Sequence, residues 1–342
     1  MTLQSSGTIR WSEIRDEFGA NVGGTGVSLG RYRNSDSNFG NKNVGTLSNL
    51  PLDVGVPTSG TISASSFYSK RLNMVLDMYG GGTEIRVNCR TRYNDSSKVK
   101  VVGGYRSKPS NTSNTRVIVN VNKTFGSDPG TTNAVAVRTG GWGTDCDLEF
   151  EIASSGKIYG AGGDGGNGGN ANGGGGGNGQ AGSTALGVEY SCTVNNLGRI
   201  QAGYGGGGGG GGKREYRKSG KKSGQWHGST GGGGGGGAGV HSSTGGDSPG
   251  GAYGNGSNGN DGGNGADINS GSGGAGGQDA GAGGNGGAVN NSSTKGDNGN
   301  SAGGGGGTGG SNGYAIITTQ GSLPSISGNA VIGRTQTSGS IT

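Results

Sequence analysis

The 342-residue chain carries 91 glycines, 26% hydrophobic residues, 14% charged residues and a formal net charge of +6. So little apolar material among so much glycine, taken alone, points to low complexity or disorder, but the apolar residues are uneven: residues 1–155 read as an ordinary β-rich protein and residues 160–313 hold most of the glycine. Collagen is excluded, because proline occurs only 6 times and the runs 205–212 and 231–237 break the every-third-glycine rule. No window approaches the roughly 18 apolar residues of a membrane span. The opening "MTLQSSGTIRW" lacks a basic segment followed by an apolar one, which speaks against a secretory leader. Cys89, Cys146 and Cys192 are too scattered for a disulfide scaffold or a metal site, and they read as buried strand thiols of a reducing cytosol.

Residues 1–75 hold a weak repeat: "SSGTIRWSEIRDEFG" (5–19) and "TSGTISASSFYSK" (58–70) share Ser-Gly-Thr-Ile, and "GVSLGRYR" (26–33) is a degenerate relative. The first copy predicts a short strand entering a helical turn, capped by Ser12, with Glu13 in the first turn and Gly19 at the exit. Such a module is too small for a large core of its own and suits docking to a neighbour.

Residues 72–152 alternate as half-buried strands do, and a small β-domain is expected over 76–155. "LNMVLDM" puts Leu72, Met74, Leu76 and Met78 on one face, and "EIRVNCRTRY" opposes Ile85, Val87, Cys89 and Tyr93 to Arg86, Arg90 and Arg92. "RVIVNV", "NAVAV" and "DLEFEI" follow, separated by turn-rich intervals, and together predict a small antiparallel β-sandwich.

From residue 156 to 320 glycine dominates, but not at random. GGD-GGN-GGN places Asp164, Asn167 and Asn170 three apart, the period of a left-handed extended helix without internal hydrogen bonds. Packed side by side, such helices (polyglycine II) could exchange amide–carbonyl bonds through their glycine edges, with Asn, Asp and Gln on the outer faces. Order is favoured over a flexible linker by the strand-like "GVEYSCTV" and "YAIITT". "SSGKIYGAGGDGG" (154–166) also recurs as "NLGRIQAGYGGGG" (196–208): a turn, a basic residue, isoleucine, then glycine. Residues 321–342 form a separate carboxy-terminal segment. The expected fold is thus mostly β plus non-regular, a small antiparallel sandwich followed by a bundle of polyglycine helices.

Those glycine blocks, broken by short segments of unrelated composition, resemble the distal adhesins of T-even-type long tail fibres of bacteriophages, and the SGTI phrases resemble modules of phage fibre and tail proteins. The resemblance implies a virion protein, assembled in the host cytoplasm and carried on an external fibre. Residues 1–75 would dock to a trimeric fibre shaft or other virion protein, and loops between glycine helices would bind a bacterial surface polysaccharide or outer-membrane protein. A fibre shaft, whisker or other tail or neck component without receptor binding is the alternative.

The loop "KREYRKSGKKSGQWHGST" (213–230) is the foremost binding candidate. Lys213, Arg214, Arg217, Lys218, Lys221 and Lys222 surround Tyr216, Trp226 and His227, a mixture suited to sugar faces and anionic groups. The same charges would also keep a glycine-rich surface soluble. His241 and Tyr253, with the segments 240–249 and 289–298, complete the candidate loops. No nucleophile motif, phosphate loop or repeated Arg-Gly-Gly stands out, so the sequence predicts no enzyme, no cofactor, no metal, no nucleic-acid partner and no membrane insertion.

Overall fold

The computed structural model describes residues 3–18, 29–32, 42–44, 47–50, 56–57, 59–78, 91–92, 99–103, 116–127, 130, 132–143, 145–217, 224–240, 243–266, 269–289, 292–299 and 303–341. Arg86, Cys89, Arg90 and Tyr93 and the strand expected around them lie outside these residues, apart from Thr91–Arg92.

The two SGTI phrases fold alike. Gly7 and Gly60 both take a left-handed backbone, at φ +92 and +76. The first phrase enters helix α1 (Trp11–Phe18) and the second a 3-10 turn (Ala64–Phe67). In each, the residue before the helix gives its backbone N–H to the side chain three positions on: Arg10 to the Glu13 carboxylate at 2.6 Å, Ser63 to the Ser66 hydroxyl at 3.3 Å. Arg10 therefore holds the capping position, and Ser12 is a helical residue, because the Glu13 carboxylate already serves the free N–H there. Gly19 lies outside the described residues. The next residues of the two phrases, Ile14 and Phe67, are fully buried in a core shared with Leu3, Ile9, Phe18, Tyr32, Val56 and Leu72.

Beyond a short hairpin of β1 (Lys42–Val44) and β2 (Leu47–Leu50), strands follow in order as β3 (Met74–Met78), β4 (Thr91–Arg92), β5 (Val99–Gly103), β6 (Arg116–Val121), β7 (Thr124–Gly126), β8 (Val135–Arg138), β9 (Asp147–Ile152), β10 (Lys157–Tyr159), β11 (Thr184–Val188), β12 (Cys192–Asn196), β13 (Arg199–Gln201), β14 (Lys213–Arg217), β15 (Gln225–Ser229), β16 (Ile316–Thr318), β17 (Ser325–Gly328) and β18 (Thr335–Gln336). They do not make the expected antiparallel sandwich. β6, β7 and β8 enter three different sheets, β9, β10 and β11 enter the same three in the same order, and β12, β13 and β16 repeat the circuit. A further circuit runs through β17, Ile332 (bridged to Gln201) and β18. Each strand therefore pairs with its equivalent one turn later, which runs the same way, so the ladders are parallel. Among the described residues of this body, only the β3–β5 edge is antiparallel. Alternation fixes which side chains face inward but is the same for both strand directions, so the pattern could not distinguish them.

One interior serves every turn. Val117, Leu148 and Cys192 stack from one sheet, Phe125, Ile158 and Ile200 from the second, and Val137, Leu186 and Ile316 from the third. The strands on either side of residue 155 share that core, and β17, Ile332 and β18 add its last described turn, with Ile326 and Val331 packed against it. Tyr190, expected in a continuous strand from 187 to 194, instead lies at the corner between β11 and β12.

The glycine segments are insertions at one corner of this coil. Residues 160–183 separate β10 from β11, and residues 202–315 separate β13 from β16. Runs 160–170, 202–212, 243–253, 271–277 and 293–299 lead away from the strands; 174–183, 230–240, 256–265, 281–287 and 303–313 return. Run 202–212 is enclosed. Gly206, Gly209 and Gly212 donate to run 174–183, Tyr204, Gly207 and Gly210 to run 230–240, and Gly208 and Gly211 to run 293–299. Its carbonyls accept in the same three-residue steps from runs 160–170, 281–287 and 303–313, at 2.7–2.8 Å. Run 230–240 is enclosed in the same manner. A Cβ on Gly207 would stand 2.1 Å from the Gly284 carbonyl oxygen, so only glycine permits the approach.

The pure glycine stretches 205–212 and 231–237 are thus the interior, and the runs bearing Asn and Asp are the perimeter. The perimeter side chains do more than face water. Asp164 and Asn167 accept the Thr244 and Asp247 amides at 2.7 and 3.0 Å, and Asn178 accepts Thr308 at 2.9 Å. Where no further run supplies a carbonyl, a side-chain oxygen takes its place.

Candidate functional site

At the end of the runs remote from the strands, β14 and β15 form an antiparallel hairpin pairing Arg214 with Gly228, Glu215 with His227 and Tyr216 with Trp226. Alternation divides the sequence-predicted residues between its two faces.

Lys213, Glu215, His227 and Ser229 occupy one face, against the turns at Asn255–Gly256 and Gln278–Asp279, around a recess of about 10 Å³ that has room for about one water. Lys213 is buried, with its ammonium 2.6 Å from Asp279 and 2.7 Å from Glu215. The Asn255 N–H donates to His227 Nδ1 at 2.6 Å, so this nitrogen carries a lone pair. These two residues fasten the hairpin to the glycine runs.

Arg214 and Trp226 lie on the other face. The guanidinium sits 4.2 Å from the indole centroid, a contact worth about 0.5–1 kcal/mol at an exposed place. Trp226 remains 49% exposed, the most exposed large hydrophobic residue among those described. The Tyr253 ring packs where a Gly228 side chain would be, 2.4 Å from an ideal Cβ, and its hydroxyl donates to Asn172 at 3.2 Å. The hairpin face therefore groups a cation, an indole, a phenol and an amide from three separate runs. Tyr216 and Arg217 belong to β14, but their side chains, like Lys218, Lys221, Lys222 and His241, are outside the described residues.

Two of the expected loops contribute to the hydrogen-bonded runs at their described residues. Thr244 and Asp247 of segment 240–249, and Thr294 and Asp297 of segment 289–298, lie in hydrogen-bonded runs; Thr294 and Asp297 accept from the enclosed run at Gly208 and Gly211. Asn172, Asn255, Gln278 and Asp279 were not foreseen, since only the return of distant turns brings them to the hairpin.

Cys146 and Cys192 are buried, and burial pushes the Cys192 thiol up to about 12. Among the described residues no group of three or more His, Cys, Asp or Glu could hold a metal ion, and no helix is long and apolar enough to cross a membrane.

No family model matches this chain, and no curated protein matches it. A solved structure that it resembles is the gp37–gp38 adhesin tip complex of the bacteriophage S16 long tail fibre, with 19% identity over 81% of this chain and 88% of that one, at a TM-score of 0.36.

Proposed function

We propose that the protein is a phage fibre-tip adhesin that holds a bacterial surface receptor, polysaccharide or outer-membrane protein, non-covalently through the outer face of the β14–β15 hairpin. The observation that carries this reading is the contrast between a body almost bare of large side chains and an exposed Trp226, stacked by Arg214, at its far end. An aromatic left half in water costs free energy unless something covers it, and Trp and Arg are the residue types that dominate binding hot spots. In this reading the glycine runs are polyglycine II helices, whose three-residue bonding steps make a rigid mount. Residues 1–75 attach the protein to a trimeric fibre shaft or another virion component, and no bond is made or broken in the receptor.

The test is binding of the purified protein to cells of candidate hosts and to their extracted polysaccharide. Trp226→Ala should lower binding at least about tenfold, a loss of about 1.4 kcal/mol. Changing Arg214, Arg217, Lys218 and Lys221 together to Ser should make the remaining attachment insensitive to salt. If both folded variants bind like the parent, the hairpin is not the receptor site. If the parent binds no host, a whisker or shaft role replaces adhesion.

A further inference from the structure

The repeated phrases that enter the glycine segments leave an unexplained charge. β10 and β13 pair in parallel with Lys157 beside Arg199 and Ile158 beside Ile200. The isoleucines point into the core, so alternation sends both cations to the outer face of that sheet. Like charges directly opposed across a ladder are destabilising. Neither cation has a carboxylate partner among the described residues. Both stand 5.7 Å from the centroid of the same ring, that of Tyr159. Arg199 Nε is buried without any acceptor, a position that costs about 1–3 kcal/mol or more for a charged group.

Beside this ladder the glycine runs meet the last turn of the coil. There a cleft of about 420 Å³ is bounded by Tyr204, Val289, Ser292, Asn312 and Ile332. Ile332 of the cleft is bridged to Gln201 and donates its N–H to Ile200, so the cleft flanks the strand that carries Arg199. Burial raises the Tyr204 pKa, and the phenol keeps a proton to donate at neutral pH. Aliphatic walls with a few hydroxyl and amide groups, in a volume of hundreds of Å³, suit a small polar ring better than an extended peptide.

We propose that this crook binds an acidic sugar, its carboxylate or phosphate oxygens received by Arg199 and Lys157 and its ring seated in the cleft beside Tyr204. A planar guanidinium donates two parallel hydrogen bonds to such an oxyanion, which would give Arg199 Nε an acceptor and offset the like-charge pair. The site lies at the opposite end of the glycine runs from the hairpin and stands independently of it.

Calorimetric titration of the full chain with sodium glucuronate, glucose 6-phosphate and neutral methyl glucoside tests this. At least one acidic sugar should bind with a dissociation constant near about 1 mM, and the neutral sugar at least about tenfold more weakly. Arg199→Gln should weaken the acidic sugar about tenfold or more. The exposed Lys157→Met, which does not threaten the fold, should weaken it several-fold, and Trp226→Ala should leave it unchanged. The proposal is overturned if folded Lys157→Met and Arg199→Gln titrate like the parent, or if the neutral sugar binds equally well. Inorganic phosphate binding as tightly as glucose 6-phosphate overturns the role of the cleft. Tighter binding of a polyglutamate peptide than of either sugar overturns the sugar in favour of an acidic protein partner.

Discussion

Replacing Gly207 by alanine should dismantle the glycine runs, whereas replacing Gly305 should not. At Gly207 the new Cβ would lie 2.1 Å from the Gly284 oxygen and 2.5 Å from its carbonyl carbon, both backbone atoms that no rotamer can move. Ordinary contact begins at 3.4 Å, so runs 202–212 and 281–287 must separate by about 1.3 Å. The bonds that join them, from Gly281 to Gly211, Gly284 to Gly208 and Gly287 to Gly205, are 2.7–2.8 Å long. Opened that far they leave hydrogen-bonding range. Each buried group left unpaired costs about 1–3 kcal/mol, so the three N–H donors alone lose about 3–9 kcal/mol, against a typical total stability of about 5–15 kcal/mol. At Gly305 the nearest atom to an added Cβ is Asn298 Oδ1 at 3.8 Å, and the backbone is not left-handed. Alanine there should stabilise by about 0.4–1 kcal/mol through the unfolded chain. Amide hydrogen exchange decides the matter: Gly207→Ala should abolish protection at Gly281, Gly284 and Gly287, and Gly305→Ala should retain it. Equal protection in the two variants would refute the claim that close backbone approach, and not composition, requires glycine in the interior.

Further outcomes are expected from particular side chains. Asp279→Ala removes one of the two carboxylates on buried Lys213 and should lower the unfolding free energy of the hairpin, followed by Trp226 fluorescence, by about 1–2 kcal/mol. That is less than a fully buried pair would lose, because Asp279 is 37% exposed. Phe67→Ala empties the centre of the amino-terminal aromatic cluster, where Phe18 lies at 5.4 Å, and should cost about 3–5 kcal/mol, read as faster proteolysis within residues 1–72. Cys192 should resist alkylation at mildly alkaline pH, because its thiol titrates at about 12 and not at the usual 9.0. The sign for stability follows from that upward shift. The buried neutral thiol contributes fully below about pH 9, and its contribution is lost as pH rises toward about 12, so Cys192→Ala should flatten the alkaline fall in stability over that window.

Local patterns set much of this fold in advance. Alternation placed Val117, Val119 and Val121, and Leu148, Phe150 and Ile152, in the core, because side chains on a strand can only point to one side or the other. The phrase repeated at 154 and 196 foreshadowed the stacking of Ile158 on Ile200, since a coil that repeats in space presents each turn with the same corner to fill. Glycine at period three required neighbours, because such a backbone cannot bond to itself.

Tertiary structure alone decided which neighbours. Strand direction depends on where the chain goes between strands, so the period of two did not show that the ladders are parallel. Nor could it show that both glycine segments leave from one corner. The stretches enclosed on every side, 205–212 and 231–237, proved to be the ones of glycine alone, while Asp164, Asn167 and Asn178 close the perimeter with their own oxygens. Basic composition marked 213–230 as a binding segment, but only the return of Asp279 and Asn255 to the hairpin turned Lys213 and His227 inward and left Arg214 and Trp226 facing out. Residues far apart in sequence meet there because backbone bonds between distant runs hold them together, and no local pattern records that distance.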